Sequence, residues 1–377
     1  MRLERPVPAA VLAAIQAPFL AVPAASLDAP ILQPLGLLLD LAGETLRERL
    51  FVVQGDGPEA CLRPDFTIPA LRAHVAGGAV SGRYVYSGHA FQVAPRGADL
   101  AEEFPQIGVE AFEPGDAPEA DAEMAALAWR AAAAGGRTDL TLLMGDVALF
   151  GDFVDALDVA PPLAARLKRA FSTPRRLRAE LDAAGAHAGD AAGGGRLAAV
   201  LSGLGEADAL GVLEEIWTLA GVEPVGGRSA AEIVHRLAER AALAAAPRLT
   251  ADQAELTRRF LAVAGGPAEA LAAVGDLVGG RSAALAAAAE AWRRRVAAMV
   301  AAGVPVERIR FSAAFGRAFG YYDGVMFEVR SAALGDDQPV AAGGRYDSLP
   351  ARLGATLATG AVGCMVRPGR AWTGGQP

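Results

Sequence analysis

The chain carries only 2 cysteines and 4 histidines in 377 residues. Cys61 and Cys364 are too few for a disulfide framework. Together with the scattered His74, His89, His187 and His235 they supply no metal-ligand spacing. No metal and no other cofactor is expected, and a reducing cytosolic compartment is the simplest setting. Basic runs are scarce too. The densest is Arg293-Arg294-Arg295, whose three helix positions fan around the axis and read as a solvated face. The formal charge balances to −8, which argues against nucleic acid as a partner, because phosphate contacts need clustered positive charge. No uninterrupted run reaches the roughly 20 apolar residues of a membrane span. The apolar stretch from Pro8 to Ala25 is broken by Gln16, Pro18 and Pro23, and Glu4 dilutes Arg2 and Arg5. It reads as an N-terminal helix plus connector rather than a signal peptide.

What is present is organised around Glu103-Phe-Pro-Gln-Ile-Gly-Val-Glu-Ala-Phe112. Strict alternation over Gln106-Ile-Gly-Val-Glu110 puts Gln106, Gly108 and Glu110 on one face of an extended strand. Ile107 and Val109 then point toward a core. Gly108 is expected to leave an open platform between a carboxylate and an amide, suited to a ligand with an amine or an N–H-bearing ring. An edge strand whose polar face meets water shows the same alternation.

The remaining elements frame that strand. Ile31 to Leu50 reads as an amphipathic helix, Phe51 to Gln54 as a short strand and Ile68 to Val75 as a helix opened by Pro69. Arg83 to Val93 forms a hairpin with the central strand, which predicts an antiparallel sheet. Asp121 to Ala134 is a helix closed by Gly135-Gly136, and Leu140 to Met144 is a buried strand. Helical periodicity then dominates until Gly303. Within that block, Ser229-Ala-Ala-Glu232 and Thr250-Ala-Asp-Gln253 are capping boxes, and His187 to Arg196 is a Gly/Ala-rich loop. Strands resume at Ile309. Ala341 to Asp347 reads as a glycine turn carrying Arg345 and Asp347, and Ala361 to Val366 as a further strand. The sheet is therefore drawn from both ends of the chain, an α+β arrangement. The expected division is residues 1–145 with 304–377, and a mainly helical insertion over 146–303.

These residues also carry a family resemblance. Leu62-Arg-Pro-Asp-Phe-Thr67, Phe91, Glu103 to Glu110, Arg317 with Tyr321-Tyr322, Phe327-Glu328 and Gly343-Gly-Arg-Tyr-Asp347 resemble the catalytic core of histidyl-tRNA synthetases, in order, over roughly residues 30–366. The resemblance implies a class II synthetase-like antiparallel sheet flanked by helices. It also implies a histidine pocket. Asp65 would take the amino group, with Thr67 and Gln106 beside it, and Glu110 would accept the imidazole N–H. Tyr321 and Tyr322 would close over the ring, and Arg317 would face the carboxylate. One departure is Gly320, where the synthetases carry an aspartate.

The nucleotide side departs further. Where the synthetase strand reads Phe-Arg-x-Glu, this chain reads Phe91-Gln92-Val93-Ala94. Leu100 and Glu102 replace loop arginines, and Gly369 replaces the glutamate before Arg370. An anticodon-binding domain is not expected. A histidine pocket without an adenylation site resembles the ATP phosphoribosyltransferase regulatory subunits. That family is non-catalytic and pairs with a short catalytic subunit in the first step of histidine biosynthesis. The resemblance implies activation of that partner, feedback inhibition by L-histidine, a homodimer formed through about Ile31 to Gln54, and a hetero-octamer. A stripped synthetase core that adenylates histidine or a related amino acid is the alternative. A scaffold that keeps the fold but no ligand is a further one.

Overall fold

The computed structural model describes residues 2–55, 57–185, 211–212, 215, 247–277, 279, 282–316, 320–355 and 360–375. The chain divides into two compact units. One comprises Met1–Leu157, Phe171–Thr173 and Arg258–Pro377, and the other Asp158–Ala170 with Pro174–Thr257.

The first unit is built on a nine-stranded sheet in the order β1-β5-β6-β12-β11-β10-β7-β9-β8. Its long strands are β5 (Gly82–Phe91), β6 (Glu103–Glu113), β7 (Leu140–Asp146), β10 (Val325–Ser331) and β12 (Gly360–Val366). Between β12 and β10 lies β11 (Ala341–Arg345); the shorter β1 (Ala25–Ser26), β8 (Ala264–Gly265) and β9 (Ile309–Ser312) complete it. The β1–β5 and β7–β9 pairs are parallel and the others antiparallel, so the expected antiparallel sheet is mixed at its two sides. The expected hairpin forms between β5 and β6, with Tyr86 opposite Gly108 and Tyr84 opposite Glu110.

The apolar N-terminal stretch becomes α1 (Ala9–Leu20), whose Ile15 and Phe19 are buried. Expected to be one helix, Ile31 to Leu50 is instead β2 (Leu32–Pro34), α2 (Leu35–Ala42) and a 3-10 turn at Glu44–Arg49. Pro34 sits where β2 gives way to α2, and Gly43, at φ 96°, ends the helix in a conformation that favours glycine. A second, three-stranded sheet in the order β2-β4-β3 joins β3 (Val52–Val53) and β4 (Ala60–Leu62). The helix α3 (Thr67–Ala76) follows it.

Another helix, α4 (Ala117–Ala134), packs on β10, β11 and β12. Its Asp121 carboxylate is 1% exposed and sits between the Arg345 guanidinium at 2.7 Å and that of Arg295 at 2.8 Å. Asp146 caps α5 (Val147–Ala156) by accepting from the amides of Ala148 and Leu149, and also accepts from Trp292 Nε1 at 2.8 Å. These contacts hold α5 and the helix containing Trp292 and Arg295 in the first unit. The second unit is therefore narrower than the insertion expected over 146–303. In it, α6 (Pro161–Ala170) and α7 (Pro174–Asp182) bury Leu163, Leu167, Leu177 and Leu181. Arg166 and Glu180 join them at 2.7 Å.

The capping box opening α8 (Ala251–Leu261) forms reciprocally: the amide of Gln253 donates to Thr250 Oγ1, and the amide of Thr250 to Gln253 Oε1. After α9 (Pro267–Leu277), α10 (Ala283–Ala301) turns Leu285, Trp292 and Met299 inward. The other capping box and the His187–Arg196 loop lie outside the described residues.

The glycine turn expected at Ala341 to Asp347 is a correction. Gly343 and Gly344 are interior residues of β11, hydrogen-bonded on both sides. A side chain at Gly343 would overlap the Gly363 carbonyl and the Phe327 ring, and one at Gly344 the Tyr322 ring. Close packing, rather than a turn, calls for glycine here.

Candidate functional site

Residues opposite one another in neighbouring strands share a face. Glu110 stands opposite Gly363, which stands opposite Gly344, while Gly108 is followed by Met365, Ala342 and Glu328. This face floors an open cavity of about 330 Å³. Asp65, Thr67, Gln106, Glu110, Tyr321 and Tyr322 all line it. Arg317 lies outside the described residues.

The platform expected at Gly108 is not open. A side chain there would collide with the Tyr86 hydroxyl and the Cys364 carbonyl, so Tyr86 fills the space the sequence left blank. The small floor residues serve other side chains. The Glu110 carboxylate lies against Gly363 and the Tyr322 ring against Gly344.

Glu110 is 2% exposed, and its carboxyl accepts from Thr67 Oγ1 at 2.9 Å, Tyr86 OH at 3.3 Å and Tyr346 OH. Burial outweighs these donors and pushes its pKa up to about 8. Burial also raises the tyrosines Tyr86, Tyr321 and Tyr346, so their hydroxyls keep their protons. Asp65 also has a turn role, since its Oδ1 accepts the Thr67 amide at 3.2 Å. Its Oδ2 nonetheless serves the cavity wall, accepting from Tyr321 OH at 3.3 Å. Gln106 is 2% exposed and its Oε1 is buried with no hydrogen-bond partner, which is costly unless a ligand supplies one. The Tyr321 and Tyr322 rings lie 4.7 Å apart, with Tyr346 edge-on to both.

The other side of the cavity carries the departures. Gln92 Oε1 accepts from Arg49 at 2.5 Å and its Nε2 donates to the Pro64 carbonyl at 2.8 Å. Ala94 and Leu100 line the wall beside it. Glu4 packs its side chain into the room that a side chain at Gly369 would need. It arrives there because the N-terminal segment bridges β6 between Leu3 and Glu103. From this position it accepts from Arg367 at 2.7 Å.

A protein from Mesorhizobium japonicum called ATP phosphoribosyltransferase regulatory subunit is 36% identical over 351 residues, covering 90% of this chain and 91% of that one. The chain belongs to the ATP phosphoribosyltransferase regulatory subunit family. A member from Agrobacterium fabrum is likewise 36% identical, with 89% of each chain covered. The family described as histidyl-tRNA synthetase matches residues 26–210 and 208–367. Among solved structures, one titled ATP phosphoribosyltransferase regulatory subunit/histidyl-tRNA synthetase, from Bacillus halodurans, superposes with a TM-score of 0.62. It is 18% identical and covers 96% of this chain and 77% of its own. A histidyl-tRNA synthetase from Nostoc gives 0.60 at 15% identity, covering 96% and 69%. The class II synthetase-like α+β fold is thus shared.

Sequence reasoning missed Tyr86, Tyr346, Arg49 and Arg367 as cavity residues, and Glu4 as the partner of Arg367. Tyr86 lies on the expected hairpin strand, but its pairing with Gly108 depends on the register across the loop between β5 and β6. Tyr346 stood in the quoted Gly343 to Asp347 motif, hidden by reading that motif as a turn. Glu4 lies 363 residues from Arg367 and had no local signal.

Proposed function

We propose that the chain is the non-catalytic regulatory subunit that activates a short ATP phosphoribosyltransferase catalytic subunit, and that L-histidine bound in this cavity imposes feedback inhibition. The observation that carries the reading is the cavity's asymmetry. One side keeps carboxylates, an amide and tyrosines suited to an amine and an N–H ring. The other has Gln92 and Ala94 where adenylation needs an arginine and a glutamate. Asp65 takes the amino group with Thr67 and Gln106. Glu110 takes the imidazole N–H, which must displace or share the hydroxyls now on that carboxyl. Tyr321 and Tyr322 close over the ring, and Arg317, by resemblance alone, faces the carboxylate.

Feedback requires histidine to bind the inhibited state of the complex more tightly than the active one. We also propose a homodimer through the three-stranded sheet, within a hetero-octamer, in a reducing cytosolic compartment. Ile31, Leu32, Val52 and Val53 are 36–53% exposed there, and Leu32 and Val53 lie on the same side of the sheet, apolar surface suited to a second copy.

The alternative, an enzyme that adenylates histidine, would need a cation on the reacting phosphate in place of Gln92. Losing such a charge costs about 3–4 kcal/mol of transition-state stabilisation. Histidine-dependent ATP–pyrophosphate exchange decides between the two. Exchange above background with the purified chain would install the enzyme reading. No exchange, with histidine binding in calorimetry and formation of phosphoribosyl-ATP only when the catalytic subunit is added, is the expected result.

A further inference from the structure

The loop between β5 and β6 forms part of the cavity wall. Gln92, Val93 and Ala94 on its first limb and Leu100 and Ala101 on its second line the cavity. The first limb is anchored from the body of the unit. Gln92 is fixed by Arg49 and the Pro64 carbonyl, and the Val93 amide donates to the Arg49 carbonyl at 2.9 Å. The tip exposes Pro95, Arg96 and Gly97.

The second limb is anchored by the N-terminal segment. The Arg2 carbonyl accepts the amides of Glu102 at 2.8 Å and Glu103 at 3.1 Å, and the Glu4 amide donates to the Glu103 carbonyl at 3.0 Å. The Arg2 amide donates to the Glu102 carboxylate at 3.0 Å, and its guanidinium reaches Asp99 at 3.2 Å. Glu102 also takes the Ala94 amide, so one carboxylate joins both limbs. Glu4 is the pin. Its carboxylate bonds Arg367 at 2.7 Å, just before the short helix Pro368–Ala371. Arg367 in turn lies on the ring of Phe104, the residue that follows the bridged Glu103.

This docking is incompletely satisfied. Glu4 Oε2 and Arg367 Nε are both buried with no hydrogen-bond partner, which offsets part of what the pin contributes. Leu3, between the two anchors, is 67% exposed and adds little apolar burial. A segment with few buried apolar contacts opens locally while the sheet beneath it stays folded.

We propose that residues 2–4 are a strap that gates the cavity. Docked, the strap fixes the loop of residues 92–102 as a wall. Released, it lets that wall open so that the ligand can enter and leave. Glu4 is the positioning residue. The gating role rests on the cavity being the L-histidine site proposed above, whereas the strap itself does not.

Hydrogen exchange of the full-length chain, read on the amides of residues 94–103, tests the strap. Glu4→Pro removes the pin and its N–H together and should speed exchange at Glu102 at least about tenfold, with the β12 amides unchanged. Glu4→Gln keeps the N–H and should give a smaller increase. The opposite perturbation is a disulfide across the bridge between residues 3 and 103, in the double variant Leu3→Cys, Glu103→Cys. Cys61 and Cys364 are buried and do not compete for it. Oxidation should slow exchange in the loop, and a reductant should restore it. This second variant keeps the test decisive should Glu4→Pro fail to fold. Stopped-flow release of L-histidine should follow the same order, at least about threefold faster in Glu4→Pro than in wild type and slower in the oxidised pair. Unchanged exchange in every variant that folds overturns the strap. Altered exchange with unaltered histidine release overturns the gating. If exchange responds while no form binds histidine, the strap stands and the histidine reading falls.

Discussion

Replacing Glu110 by glutamine is expected to remove a pH-dependent loss of stability. The carboxyl is fully enclosed and burial pushes its pKa up to about 8, against about 4.5 in an unfolded chain. Between those values the folded state holds a proton that the unfolded state releases. Stability therefore falls as pH rises through this window and levels off above about 8. Each pH unit inside the window costs up to about 1.4 kcal/mol, so from about pH 5.5 to about pH 7.5 the loss is roughly 2–3 kcal/mol. Burial shifts Asp121, Asp146 and Asp323 upward as well, so the wild-type profile alone does not isolate Glu110. The difference between wild type and Glu110→Gln does. Glutamine mimics the protonated carboxyl and can still accept from Thr67 or Tyr346. Urea midpoints at the two pH values read the effect. Parallel pH profiles in the two proteins would refute the reasoning, because they would mean that Glu110 folds in ionised.

Glu110→Ala is expected to weaken histidine binding by roughly 2–3 kcal/mol by leaving a buried N–H unpaired; unchanged affinity in calorimetry would mean that the ring does not sit at Glu110. Asp121→Ala strands the buried Arg295 and Arg345 and should cost about 3–5 kcal/mol in urea unfolding. A loss below about 1 kcal/mol would mean that the arginines find water or another acceptor. Gly343→Ala drives a methyl into the Phe327 ring and the Gly363 carbonyl within the central sheet. A cost of at least about 2 kcal/mol is expected, and near-wild-type stability would show that β11 can shift away from β12.

The reach of local reasoning differs from one element to the next. The period-2 pattern of Gln106 to Glu110 gave the strand, its two faces and its polar residues, because alternation is a property of the extended backbone itself. The Thr250–Gln253 cap was legible because its partners lie within one turn. Gly343-Gly344 was misread because glycine pairs mark turns and tightly packed strands alike. Only the neighbouring Gly363 carbonyl and the Phe327 and Tyr322 rings show which applies.

The sequence by itself determined that a mainly antiparallel sheet drawn from both ends of the chain would carry Gln106 and Glu110 on one face. Tertiary structure decided what those residues meet. It set Tyr346 on Glu110, Tyr86 over Gly108, and Glu4 against Gly369 and Arg367. Such contacts join segments up to 363 residues apart. They arise because burial forces each polar group to find a partner wherever the fold brings one, and that choice leaves no periodic trace in the chain.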